Sequence, residues 1–80
     1  MPTILRQDGF AVRLYFNDHE PPHVHVFKAE GQAKIALGDG EQLPWLLEVR
    51  EMDNKTAKQA LKLVLENRAY LSGKWKEFYD

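Results

Sequence analysis

Cysteine is absent from the 80-residue chain, so disulfides and thiolate metal sites are excluded and any metal would have to be held by nitrogen and oxygen. Nor is there an excess of charge of one sign. Eleven Lys and Arg stand against 12 Asp and Glu, a formal net charge of −1, which argues against a general electrostatic grip on nucleic acid while leaving room for a local basic patch. No apolar run approaches membrane-spanning length, and the start, Met1-Pro2-Thr3-Ile4-Leu5-Arg6, reaches charge too soon for a signal peptide. A cytoplasmic protein is expected. There is no glycine-rich phosphate loop, no serine or cysteine nucleophile motif, no internal repeat and no linker. A chain this short folds as a single domain over 1–80 and buries only about 60% of the surface its unfolded form exposes, so one core and no deep cavity are expected.

What the chain does have is a concentration of histidine. All three histidines fall within Asp18-His19-Glu20-Pro21-Pro22-His23-Val24-His25. Histidine exchanges protons near neutral pH, its ordinary pKa being roughly 6.5, and it is the commonest metal ligand. The two prolines hold the approach to His23 extended, because each fixes its own φ and restricts the residue before it.

Around this string the first half of the chain reads as strands. Thr3 to Gln7 is short and β-like, and Asp8-Gly9 suits a tight hairpin. From Phe10 to Phe16 the chain alternates, with Phe10, Val12, Leu14 and Phe16 on one side and Ala11, Arg13 and Tyr15 on the other. His23 to Lys28 alternates again, Val24 and Val26 against His23, His25 and Phe27. Matching apolar to apolar sets Val12 opposite Val26 and Leu14 opposite Val24, which places Arg13 across from His25 and Tyr15 across from His23. A Glu30-Gly31 turn would then set Val26 opposite Ile35, His25 opposite Ala36 and Phe27 opposite Lys34. The outer face of the sheet is expected to carry Arg13, Tyr15, His23, His25 and Lys34 as neighbours.

Trp45 to Met52 reads as a further strand whose register the sequence leaves open. Asn54 suits a helix N-cap, and from there Ala57, Leu61, Val64, Leu71, Trp75 and Phe78 recur at three- and four-residue intervals, widened by Ala60 and Leu65. The class is α+β: an antiparallel sheet of about four strands against one long C-terminal helix, with Ser72-Gly73 the place where it can kink.

The segments Met1-Pro2-Thr3-Ile4, Tyr15-Phe16-Asn17-Asp18-His19-Glu20-Pro21-Pro22-His23-Val24-His25-Val26, and Leu61-Val64-Leu65-Glu66-Asn67 running to Lys74-Trp75, resemble a family of small bacterial proteins long known as a domain of unknown function. Some of its members are DhiT-type toxins, each encoded beside a small antitoxin. Val24 stands where many members have an aromatic residue. The resemblance implies the toxin component of a toxin–antitoxin pair, with a small antitoxin as partner.

Three chemistries fit the residues. In the first, His23, His25, His19 and Asp18 are acid–base candidates acting on RNA, Arg13 and Lys34 bind phosphate, and Tyr15 or Phe27 lies against a base. In the second, His23 and His25 with His19, or with Asp18 in its place, hold zinc and leave an open position. In the third, the histidine face is a non-catalytic protein-binding surface. Arg13 beside His25 disfavours a divalent cation and suits an anion, so the expected activity is metal-independent or only weakly metal-dependent, with no cofactor.

Overall fold

A computed structural model describes residues 3–14, 21–38 and 40–79. Five strands, β1 (Thr3–Gln7), β2 (Phe10–Arg13), β3 (His23–Lys28), β4 (Gly31–Ala36) and β5 (Trp45–Arg50), form one antiparallel sheet in the order β1-β2-β3-β4-β5. Two helices follow, α1 (Asn54–Glu66) and α2 (Arg68–Tyr79). The α+β class therefore holds, with five strands in place of about four and two helices in place of one. Among the described residues no helix is long and apolar enough to cross a membrane.

Local chemistry accounts for the first hairpin. Asp8 and Gly9 both take positive φ, 53° and 82°, which is the backbone of a two-residue turn whose twist matches the strands, and Gln7 faces Phe10. In β2 the side chains alternate between buried Phe10 and Val12 and half-buried Ala11 and Arg13. Val12 lies opposite Val26 and Arg13 opposite His25, as the apolar matching requires.

The β3–β4 turn falls one residue earlier than the sequence suggests. Ala29, at φ 53°, and Glu30 make the loop, and Lys28 faces Gly31. Gly31 is a glycine for a different reason: a Cβ there would fall on the Glu51 carbonyl oxygen. The pairing is displaced by two residues, so Val24 meets Ile35, Val26 meets Ala33, and His25 meets Lys34 instead of Ala36. A shift of two leaves every side chain on its expected face, because the strand period is two.

The helical segment departs further. Asp53, not Asn54, caps α1, its carboxylate accepting from the Thr56 backbone N–H at 2.7 Å. The break comes at Asn67 and not at Ser72-Gly73, which lies inside α2. Asn67 leaves helical geometry at φ −110°, ψ 18°, and its side-chain amide donates to the Leu63 carbonyl at 2.8 Å, competing with the backbone ladder. Its own carbonyl accepts from Leu71 N–H and so starts α2. The break lets both helices reach one core: Val12, Val24, Val26 and Ile35 from the sheet, Ala60, Leu63 and Val64 from α1, Leu71 and Trp75 from α2. Leu65, expected to widen the apolar stripe, is exposed and Leu63 takes the buried place.

Candidate functional site

Three neighbouring strands carry Arg13, His25 and Lys34 directly across from one another, Arg13 on β2 facing His25 on β3, and His25 facing Lys34 on β4. All three are half-buried, and they belong to the face opposite Val12, Val24 and Val26, which enter the core. Glu48 on β5 continues the row beyond Lys34. The turn at Ala29-Glu30 decides this arrangement, since the expected turn would have left Lys34 beside Phe27.

Arg13 is held from two sides. Its Nε donates to the Thr3 hydroxyl at 3.2 Å, and its guanidinium carbon lies 5.0 Å from the centre of the Phe27 ring. Such a guanidinium keeps its terminal nitrogens oriented while its stem stays ordered. Phe27 pairs with Ala11 and Gln32, and borders the row through Arg13.

His23 shares the strand parity of His25 but not its exposure. It is 2% exposed, whereas the sequence places it on an open surface. Trp75 from α2 covers it, the two ring centroids 5.5 Å apart, and the His25 ring meets it edge-on at 5.3 Å. Its Nδ1 lies 2.8 Å from the Pro21 carbonyl oxygen; a carbonyl only accepts, so Nδ1–H donates, and in the neutral ring the basic lone pair is at Nε2. The proline step thus serves the site directly, by presenting that carbonyl two residues before the histidine. Leu37 N–H donates to the Pro22 carbonyl at 2.9 Å, fastening the same step to the end of β4.

Tyr15, Asp18 and His19 lie outside the described residues. Among the described residues no group of three His, Asp or Glu side chains is placed to hold a metal ion, and the zinc alternative depends on His19 or Asp18, which are outside them. Trp75 is the member of the site that sequence reasoning missed. Its spacing marks it as a core residue of the helix, and nothing local signals that it closes over a histidine 52 positions earlier.

A family model described as a domain of unknown function (DUF4160) matches residues 9–76, a span that includes the whole Arg13–His25–Lys34 row and the helix that brings Trp75. No curated protein and no solved structure matches the chain.

Proposed function

The chain belongs to the DUF4160 family, and we propose that it acts on RNA through the Arg13–His25–Lys34 row, as the growth-inhibiting toxin of a toxin–antitoxin pair. The observation that carries this reading is an imidazole set between an arginine and a lysine, all three half-buried on the sheet face away from the core. Such a group suits an anion that must also gain or lose a proton. A phosphodiester is that anion, and RNA brings its own nucleophile, the 2′-hydroxyl, so the protein need supply only proton transfer and charge. His25 takes the proton from the 2′-hydroxyl as that oxygen bonds to phosphorus, and then gives it to the 5′-oxygen as the P–O5′ bond breaks, leaving a 2′,3′-cyclic phosphate and a free 5′-hydroxyl. Arg13 and Lys34 hold the phosphate oxygens, and Phe27 offers a ring edge to a base.

His23 is the positioning residue in this scheme. Buried under Trp75 and tied to Pro21, it fixes the ring of His25 by edge contact and does not meet substrate. The two cations make the same place unattractive to a divalent metal. Resemblance of the Asp18–His25 string to the DhiT-type toxins supports the biological role, and the cationic row supports a small antitoxin that covers it with acidic side chains.

The test is expression of the wild type, His25→Ala and Arg13→Ala in bacteria, with and without the neighbouring gene's product, together with incubation of the purified proteins with bulk RNA and with DNA of the same sequence. Growth arrest and RNA cleavage are expected from the wild type alone. His25→Ala should lose roughly 10²–10⁴-fold of the cleavage rate. Arrest that His25→Ala leaves unchanged, or equal cleavage of DNA, would overturn the reading. Intact RNA with retained binding of an acidic partner would replace catalysis by a non-catalytic docking role.

A further inference from the structure

β5 closes the strand order, and among the described residues no strand lies beyond it. Among the described residues nothing pairs with its outward backbone N–H and C=O groups, which are the groups a further strand would take up. Around them the chain exposes apolar side chains: Leu46 and Val49 on the helix side, opposite Ile35 and Ala33, Leu47 as the extra residue between the two registers, and Leu43 just before the strand. An apolar strand with open backbone groups matches another strand better than it matches water.

The charges on β5 say which strand. Glu48 and Arg50 point to the open face, two residues apart, and form an ion pair with each other at the surface. In an antiparallel pairing of two identical strands about a twofold axis, one residue must lie opposite itself. With Val49 on the axis, Glu48 meets Arg50 of the second copy and Arg50 meets its Glu48, while the two Val49 side chains meet on the other face. With Glu48 on the axis, like charges meet. With Leu47 on the axis, Arg50 falls opposite Pro44, which has no N–H to give. Of these three registers, the Val49 one is complementary in both charge and backbone.

We propose that the chain forms a homodimer by antiparallel pairing of β5 with β5 about Val49, joining two five-stranded sheets into one of ten strands. Both histidine rows then lie on one continuous face, with Glu48 and Arg50 crossing the seam. The inference is independent of what the histidine row does.

The test is sedimentation and light scattering of the full chain up to roughly 100 µM, the concentration suited to a short strand-to-strand contact. Wild type should reach twice the 9.3 kDa of one chain. Glu48→Arg gives one strand two arginines and Arg50→Glu gives the other two glutamates, so each alone should weaken the dimer by roughly tenfold or more. An equimolar mixture should restore it, because every cross-seam pair is again opposite in sign. Wild type that stays monomeric over this range overturns the proposal, as does a dimer that both reversals leave intact. So does a mixture of the two folded variants that fails to associate. A strand from a different protein as occupant would show itself as a monomeric wild type.

Discussion

The two edges of the sheet are built from similar parts and treated differently. Each has one extra residue in its pairing, Ile4 in β1 and Leu47 in β5, so a bulge alone does not distinguish them. At the β1 edge the extra residue is covered: Tyr70 of α2 donates its hydroxyl to the Ile4 carbonyl at 2.7 Å. Asn67, at the break between the helices, reaches Gln7 at 3.3 Å. The side chains that β1 shows to water include Arg6. At the β5 edge the exposed side chains are Leu46, Leu47 and Val49, relieved by Glu48 and Arg50. An edge is protected when a second element returns to take up its backbone groups, and α2 returns to β1. The difference teaches that α2 takes up a backbone carbonyl of the β1 edge, while among the described residues no side chain does the same for β5.

The largest expected effect comes from prying β5 away from its own sheet. Gly31→Ala drives a methyl onto the Glu51 carbonyl just past the end of β5, and should cost about 1–3 kcal/mol in urea unfolding, with faster amide exchange along β4 and β5. The matching change at the β1 hairpin is milder. Gly9→Ala meets only the flexible end of Lys28, at 3.3 Å, so its cost, about 1 kcal/mol, is that of a side chain at φ 82°.

Tyr70→Phe makes the β1 edge resemble the β5 edge by taking the hydroxyl from the Ile4 carbonyl. A loss of about 0.5–1.5 kcal/mol is expected, with exchange quickening in β1 and not in β5. Val49→Lys does the reverse, giving β5 the charge that natural edges use against pairing. Stability should stay within about 0.5 kcal/mol of wild type while self-association disappears in sedimentation.

The smallest effect concerns the turn that leads from β5 into α1. Hydrogen bonds from the Thr56 backbone and then its side chain hold the Asp53 carboxyl below its ordinary value of 3.8, and Lys55 adds to the shift. A carboxyl lowered in the folded state stabilises fully above its unfolded pKa and loses that contribution as pH falls through the folded one. An acid titration of the melting temperature should therefore be slightly flatter, in the window at and below 3.8, for Asp53→Asn, which keeps an acceptor at the cap without the charge.

Much of this arrangement is legible in the residues because strand faces and short turns are local properties. Period-two alternation separates Val12, Val24 and Val26 from Arg13 and His25, and apolar matching sets β2 against β3 in the observed register. Asp8-Gly9 announces its own turn, since the chemistry that permits positive φ sits in the turn itself. Even the misplaced β3–β4 turn preserved the faces, because a slip of two residues is invisible to alternation.

Tertiary structure decided what depends on a distant approach. Gly31 looks like a turn residue, yet it opens β4 with the Glu51 backbone packed against it, and the turn at Ala29-Glu30 sets Lys34 beside His25. Asn67 ends α1 where its amide is shared between Leu63 and Gln7, a residue 60 positions away, so spacing alone favoured Gly73 for the break. His23 and His25 are equivalent by alternation, yet Trp75 buries one and leaves the other half-open. A period assigns a side chain to a face of the sheet; whether water or another element waits on that face is set by where the chain returns, and only the packed molecule contains that information.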